Sequence, residues 1–456
     1  MATRVMQIVP LLMREDKESD DGIVFNRNDD YDPKVVSLGP YHHGKRKLKF
    51  VEDYKPQAVE MFIEGHSTTE DEYLNKILEN IGYVRSCYLD CEKYDCDAFA
   101  QMMLRDACFI LNYINVTDDS PKRDAMIERL GTAVTDDSPK RDAMIERLGT
   151  AVYNSIIRDM CLLENQVPFW ILEMLVGLRY GKKGDEFVKD MEKYFFRRFF
   201  NDQEAELPKA DKINKLGMEP LHLLEIFRRV IVTGHDRDPS GGGDHRCNIG
   251  NLVKRLENSG CRSKDDTSSY HGYVFRSVTD LKSKGIDCRA SGNNSLKGVR
   301  FNPYESWLSA KLMIPPCRVT AHTRAFFMNM IAYEFSPYSN FLYDKSVTAY
   351  VNFMKQLVVS KQDVKELRNQ RIIFNGLGSD EQVAKVFKAL NTYEIVDTST
   401  YSAVMNNIEK QYYNSKGRTW MADLKTTYFN GPWSIVALAG SIFLLCLTIV
   451  QTFYAA

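Results

Sequence analysis

The stretch LLENQVPFWILEML, residues 162–175, decides the fold class, because its apolar residues recur at steps of three and four. That spacing is typical of an amphipathic helix with one buried face. Pro168 interrupts the pattern, since proline lacks the helical N–H donor and restricts the residue before it. We therefore predict a bend or helix boundary at residues 164–166. Residues 221–231 show the same period, so helices are expected to carry most of the core, and the chain is predicted to be mainly α.

A small β patch is predicted near residues 285–320. Short β-favouring pieces such as residues 298–301 lie there between Gly, Asn and Pro residues. Two polar segments, 15–32 and 235–270, are expected to be flexible excursions, the second because it contains three consecutive glycines. We predict that one large helical globular domain, residues 1–425, contains all of these segments.

Residues 117–134 are repeated without a change as residues 135–152. Within each copy a serine and a proline can begin a short helix and a glycine can end it. These residues are Ser120, Pro121 and Gly131 in the first copy and Ser138, Pro139 and Gly149 in the second. Two copies of this length are too few for a solenoid. Two explanations stay open, a recent tandem duplication in a tolerant surface segment and an error in gene assembly, and neither implies chemistry.

The C-terminal tail is uncharged, since no Asp, Glu, Lys or Arg follows Lys425. Residues 432–454 within it are predicted to form a transmembrane helix, because roughly 20 apolar residues cross a hydrocarbon layer about 30 Å thick. Tyr428, Trp433 and Tyr454 lie near its ends, where amphipathic rings prefer the lipid–water interface. A buried C-terminal helix of a soluble protein is the alternative.

The N-terminus resembles a signal peptide poorly, because its apolar stretch is short and is broken by Gln7 and Pro10. We therefore predict a single-pass protein, anchored by its tail in the plasma membrane or an endomembrane, with the N-terminal domain in the cytosol. Membrane lipid is then a partner of the C-terminal helix. The opposite orientation is the alternative, and it would place ten cysteines in an oxidising compartment and open Asn115 and Asn293 to glycosylation.

Composition narrows the classes of partner. The 456 residues carry a net charge of −1 and 44% of them are hydrophobic, so a large core can form and no overall charge favours nucleic acid. The cysteine cluster Cys87, Cys91 and Cys96 has no fourth ligand at the spacing of a zinc site. We predict no metal, no cofactor and no nucleic-acid partner, and the oligomeric state stays open.

Familiar catalytic motifs do not occur in the sequence. Residues 177–183 are one residue short of a phosphate-binding loop and lack the hydroxyl residue after its lysine. Adjacent histidines point in different directions, so the run that follows Gly39 and Pro40 is predicted to be a structural turn rather than a metal site. The polar run before Pro168 has no paired base and is expected to hydrogen-bond a bend. The candidate site residues, with a predicted structural role, are Gly39, Pro40, Tyr41, His42, His43, Gly44, Glu164, Asn165, Gln166 and Pro168.

Seven short motifs in this chain bear on its relationship to other proteins. They are residues 36–44, 103–111, 162–169, 222–224, 323–334, 377–384 and 427–433. In this order they resemble the signatures of the plant domain-of-unknown-function 247 family, the UPF0481-type membrane proteins, over about residues 8–451. Ala107 and Asn112 depart from the family pattern, so the chain resembles a divergent member.

The resemblance implies a plant membrane-associated protein with no established enzymatic activity and no known cofactor. Some family members in grasses are linked to self-incompatibility loci, as candidate pollen-side recognition determinants. We therefore predict a membrane-anchored recognition or signalling protein that acts on a protein or small peptide partner and is not an enzyme. Its finer form is a pollen-side self-incompatibility determinant. Two alternatives stay open, a membrane scaffold and an enzyme that uses His42, His43 or Glu164 in an unrecognised site.

Overall fold

The computed structural model describes residues 28–89, 91–117, 144, 146–181, 184–200, 219–234, 277–303, 310–337, 339, 344–392, 400–413 and 432–455. Within them the chain is mainly helical with a small sheet patch, as the apolar periodicity predicts. The N-terminal helices are α1 (Asn28–Tyr31), α2 (Lys49–Glu52), α3 (Lys55–Ile63), α4 (Glu70–Glu79), α5 (Ile81–Ser86), α6 (Cys96–Thr117), α7 (Thr150–Met160), α8 (Phe169–Tyr180), α9 (Gly184–Phe200) and α10 (Leu223–Thr233). The later helices are α11 (Val278–Ser283), α12 (Thr323–Phe335), α13 (Ser346–Leu357), α14 (Lys361–Asn369), α15 (Asp380–Ala389), α16 (Ser402–Tyr413) and α17 (Pro432–Ala455).

Helix α6 lies at the centre of the N-terminal half. Its side chains between Phe99 and Ile114 are largely buried, and helices α3, α4 and α8 pack against it. One contiguous apolar cluster continues from Tyr31 through this helix to Ile408. Helices α1 to α16 therefore share a single core, whereas the described side chains of α17 are exposed.

Helix α8 begins where the sequence places a boundary. Pro168 precedes it with a φ of −54°, and Gly181 ends it in the left-handed conformation with a φ of 64°. Glycine tolerates that conformation without the clash of a Cβ atom. Gly177 lies inside the helix, so this segment forms a helix end rather than a loop around a phosphate.

Two small sheets occupy the predicted β patch. In the first, β1 (Ile286–Ala290) pairs in parallel with β3 (Ala310–Ile314), and β2 (Arg300–Asn302) pairs with β3 in the antiparallel sense. In the second, β4 (Cys317–Val319) pairs in parallel with β5 (Ile373–Asn375). The patch near residues 285–320 is thus confirmed, but its last strand has a partner from a distant segment that the sequence pattern does not reveal.

The repeat and the excursions are described only in part. The first copy from residue 118 onward, residues 15–27 and residues 235–270 lie outside the described residues. In the second copy, residues 146–148 are helical, and Gly149 with a φ of 81° separates them from α7. Residues 28–31 of the first excursion form α1, in which Tyr31 is buried.

The prediction that residues 432–454 form a transmembrane helix is wrong. Within the part of the chain that the structure describes, no helix combines the length and the apolarity needed to cross a bilayer. Tyr428 and the side chains of Trp433 and Tyr454 lie outside the described part.

Candidate functional site

The loop of residues 36–44 is held at its start by a buried carboxylate from α7. Asp159 Oδ2 accepts three backbone N–H groups, those of Lys34, Val35 and Val36, at 2.9, 2.7 and 3.1 Å. Arg158 Nη1 donates to Asp159 Oδ1 at 2.6 Å. Burial raises the pKa of Asp159, while Arg158 and the three N–H donors act in the opposite direction. The carboxylate therefore serves as an internal acceptor that fixes the backbone before the loop.

Asn165 joins the same loop to the bend that precedes Pro168. Its Oδ1 accepts the N–H of Leu38 at 2.7 Å, and its Nδ2 donates to the carbonyls of Val36 and Asp159 at 3.1 and 2.9 Å. The side chain is fully buried, and each of these partners is a backbone group. Asn165 thus supplies hydrogen-bond partners to buried backbone groups of the loop and of the end of α7.

Gln166 stabilises the bend itself. Its Nε2 donates to the carbonyls of Met160 and Leu162 at 2.8 and 2.6 Å, and its Oε1 accepts the N–H of Leu224 at 3.2 Å. The hydroxyl of Tyr88 donates to the Gln166 carbonyl at 2.9 Å. The amide therefore links the end of α7, the bend and the first turn of α10.

Gly39 lies where the loop passes closest to the bend. Its φ is 73°, and a Cβ atom at this position would lie 2.8 Å from the carbonyl oxygen of Gln166. Its N–H donates to Asp106 Oδ2 at 2.7 Å, and Asp106 Oδ1 forms a buried ion pair with Lys55 at 2.5 Å. Only glycine meets both demands, since it has no Cβ and tolerates a positive φ.

Lys55 is fully buried between two carboxylates. Besides Asp106 it contacts Glu52, and its Nζ donates to the carbonyl of Ser37 at 2.6 Å. Burial acts to raise the pKa of Glu52, but the hydrogen bond from His43 and the charge of Lys55 lower it to about 2. Burial raises the pKa of Asp106, partly opposed by Lys55. We name the loop 36–44, the bend 162–168 and these buried partners the motif junction.

The two histidines of the motif junction face different carboxylates. His42 is buried, with its Nε2 3.7 Å from Glu164 Oε2 and its Nδ1 2.8 Å from Lys45 Nζ. His43 is about one-third exposed, and its Nδ1 lies 3.4 Å from Glu52 Oε2. The geometry therefore separates the two rings, and they do not share one ligand position.

The remaining loop residues also have packing roles. The hydroxyl oxygen of Tyr41 accepts the N–H of Leu89 at 3.0 Å, and its ring packs edge-on against Tyr88. Pro40 and Pro168 are buried, and Gly44 has a φ of 80° with open space around it. Among the described residues, no group of three His, Cys, Asp or Glu side chains could hold a metal ion. This arrangement of contacts holds the loop in place. Of the two histidines in the motif junction, His43 is the one that is partly exposed to solvent.

Sequence reasoning did not single out the buried charges that hold the later helices. Glu334 Oε1 accepts from Arg228 Nε at 2.9 Å and from the N–H of Val347 at 3.0 Å, and Oε2 accepts the N–H of Thr348 at 3.0 Å. Glu225 pairs with Arg229 at 2.5 Å and accepts from the Tyr333 hydroxyl at 2.7 Å. The signal that could have found them is a charged residue inside an apolar helical run, because such a residue must be paired when it is buried.

One exposed surface combines aromatic and aliphatic side chains. Tyr83 on α5 is 52% exposed, and its ring lies 5.8 Å from that of Trp170 on α8. Met174 and Leu178 follow Trp170 at four-residue steps, which places them on the same helix face. Leu178 is 40% exposed, whereas Trp170 and Met174 are half-buried and pack against the core. We name Tyr83, Trp170, Met174 and Leu178 the aromatic patch.

Comparisons with known proteins cover nearly the whole chain. The DUF247 family model, described as plant protein of unknown function, matches residues 22–447. The UPF0481 protein At3g47200 of Arabidopsis thaliana is 27% identical over 436 residues, which covers 92% of this chain and 82% of the relative. The putative UPF0481 protein At3g02645 of the same plant is 20% identical over 491 residues, covering 93% and 87%. No solved structure matches the chain significantly.

Proposed function

Since this chain belongs to DUF247, a plant protein family of unknown function, we propose that it is a recognition protein that acts through protein–protein contacts of its helical domain. The observation that carries the proposal is the aromatic patch. Its partner is a protein or a peptide that covers Tyr83, Trp170 and Leu178. Turnover of a substrate is not part of this proposal.

The residue types of the patch favour a binding role. Tyrosine and tryptophan are enriched among the side chains that dominate interface energies, because they bury a large area at little cost in side-chain entropy. Exposed polar residues, Lys76, Glu79 and Asn80, precede Tyr83 along the chain. Glu79 and Asn80 are within four residues of Tyr83, and polar residues beside an apolar centre are the usual anatomy of a protein interface.

The motif junction supports the same proposal because its buried side chains have structural roles. Asn165, Gln166 and Asp159 are buried and bind backbone groups of their own chain. Buried side chains whose donors and acceptors are already engaged are poorly placed to meet a substrate. A role as pollen-side self-incompatibility determinant stays a prediction that the family resemblance implies.

Site-specific photo-cross-linking tests the proposal. A benzophenone amino acid replaces Tyr83 in one variant and Tyr413, which is 60% exposed on α16, in a matched control. We expect a discrete protein adduct at position 83 in extracts of the plant's reproductive tissue, absent at position 413 and competed by unlabelled protein. Equal labelling at both positions, or no adduct at position 83, would overturn the proposal.

The enzyme alternative makes a different prediction for the histidines. If His43 were a general base, His43→Ala would abolish a turnover and leave the melting temperature nearly unchanged, since the ring is partly exposed. His42→Ala is expected to lower the melting temperature in either case, because the ring is buried against Glu164. A turnover that disappears in His43→Ala at unchanged stability would favour the enzyme.

A further inference from the structure

The guanidinium of Arg179 is shielded from solvent without an acidic partner among the described residues. Arg179 lies in the last turn of α8, and its Nε and Nη1 atoms are buried without a hydrogen-bond partner in the described part of the chain. The buried arginines Arg158, Arg228 and Arg229, in contrast, each pair with a carboxylate. A charge removed from water is costly unless it is paired. The site around Arg179 therefore lacks an acceptor that the described chain does not provide.

Aromatic rings lie around this guanidinium. The Cζ atom of Arg179 is 4.7 Å from the ring centroid of Phe62 on α3 and 5.1 Å from that of Tyr180. His66, in the connection between α3 and α4, packs edge-on against Tyr180 with the ring centroids 5.8 Å apart. Cation–π contacts attract the charge but leave the in-plane N–H donors available, and a planar carboxylate accepts such donors in pairs. The site therefore has aromatic walls and unused donors.

Tyr73 on α4 adds a hydroxyl to the same site. Its side chain is fully buried, and its ring centroid lies 5.8 Å from that of Phe62. Burial raises the pKa of Tyr73, whereas the nearby Thr68 side chain and the charge of Arg179 lower it. The hydroxyl makes no hydrogen bond of normal geometry within the described residues. Two kinds of donor, a hydroxyl and a guanidinium, thus lie close together without an acceptor.

The end of α8 favours a carboxylate over a phosphate at this site. The helix ends at Tyr180, so its last carbonyl groups and the negative end of its dipole lie beside Arg179. A phosphate monoester carries a charge of about −1.5 to −2 and is readily held by backbone N–H groups at a helix N-terminus. A carboxylate carries a single charge and matches the fork of one guanidinium.

We propose that Arg179 and Tyr73 form a binding site for a small carboxylic acid beside the loop of residues 64–69. One edge of the Arg179 guanidinium donates to the carboxylate oxygens, and the Tyr73 hydroxyl donates to one of them. Arg179 follows Trp170 by nine residues, about two and a half helical turns, and so lies on the opposite side of α8 from the aromatic patch. Ligand binding here is therefore independent of the recognition surface.

Thermal unfolding of the full-length protein in acetate and in benzoate tests the site. Chloride of the same ionic strength is the reference, and acetamide and benzamide are the uncharged controls. A ligand that binds only the folded protein raises the melting temperature in a saturable way. We expect such a rise with at least one of the two carboxylates and none with the amides. Tyr73→Phe keeps the ring and is expected to weaken the apparent affinity about tenfold at unchanged stability in chloride, because one hydrogen bond to a charged group is lost.

Substitution of Arg179 is compared with that of a matched arginine. Arg85 is also half-buried and lies over an aromatic ring, that of Phe99 at 5.8 Å, but it donates to the carbonyl of Cys91 at 3.3 Å. We expect Arg179→Met to abolish the response to carboxylates and Arg85→Met to retain it. No saturable response to either carboxylate, a response retained in Arg179→Met, or a response to inorganic phosphate alone would overturn the proposal. If Arg179→Met does not fold, the affinity of Tyr73→Phe decides, and an affinity equal to that of the unmodified protein would overturn it.

Discussion

Asp159→Ala removes the acceptor that fixes the start of the motif junction. Three backbone N–H groups, those of Lys34, Val35 and Val36, lose their partner, and Arg158 loses its carboxylate. A hydrogen bond to a charged group contributes roughly 1.5–3 kcal/mol, and removing one member of a buried ion pair costs roughly 3–5 kcal/mol. These terms overlap, so we expect a loss of about 5 kcal/mol in the free energy of unfolding.

That loss is a large part of the roughly 5–15 kcal/mol that stabilises a typical domain. Urea unfolding followed by far-ultraviolet circular dichroism measures it, with Asp97→Ala as the matched control, since Asp97 is exposed in the first turn of α6. The control is expected to change stability by less than about 1 kcal/mol. If Asp159→Ala unfolds completely, Asp159→Asn keeps one acceptor oxygen and is expected to fold with an intermediate loss. An Asp159→Ala protein as stable as the Asp97→Ala control would show that the Asp159 carboxylate does not stabilise the start of the loop.

Three further substitutions or deletions test other parts of the structure. Gly39→Ala is expected to lower stability more than Gly44→Ala does, because both have a positive φ but only Gly39 would place its Cβ 2.8 Å from a carbonyl oxygen; comparable urea midpoints would contradict this. Burial raises the pKa of Glu192 to about 7 against the pull of Arg229 and Lys189, so its contribution to stability is complete below about pH 4.5 and is lost as the pH rises through about 7. We expect Glu192→Gln to remove this pH-dependent loss, which is at most about 3 kcal/mol. Melting temperatures of the unmodified protein and of the variant would be compared at pH 5 and pH 8. An equal decrease from pH 5 to pH 8 in the two proteins would argue against this role of Glu192. Deletion of residues 117–134 is expected to leave the melting temperature nearly unchanged, because the remaining copy keeps its Met and Leu in the core; a large decrease in calorimetry would mean that both copies support the fold.

The helical class and the sheet patch follow from local signals in the sequence. The three- and four-residue spacing after Pro168 gives α8, and the β-favouring pieces between Gly and Pro residues give β2 and β3. The pairing of β4 with β5 was not predictable in this way, because the two strands are more than 50 residues apart and nothing local specifies the partner. The transmembrane prediction was wrong. It was based on the absence of charged residues in the tail, whereas no helix among the described residues is both long enough and apolar enough to cross a bilayer.

The candidate site was predictable as a set of residues but not as a structure. The run from Gly39 to Gly44 and the run from Glu164 to Pro168 are prominent because polar and turn-forming residues interrupt apolar sequence. Their connection through Asp159, and through Asp106 to Lys55, depends on contacts across about 50 to 125 residues. The aromatic patch is likewise a tertiary feature, since Tyr83 and Trp170 belong to different helices.

The affinity of the purified protein for the partner cross-linked at position 83 tests whether the aromatic patch is the recognition surface. It would be measured by calorimetry for the unmodified protein, for Tyr83→Ala and for the matched control Tyr413→Ala. A side chain at the centre of an interface contributes about 2 kcal/mol or more, so we expect Tyr83→Ala to weaken binding by roughly 30-fold at unchanged melting temperature. We expect no change in affinity for Tyr413→Ala. Equal affinities for the two variants would contradict the assignment of the aromatic patch as the recognition surface.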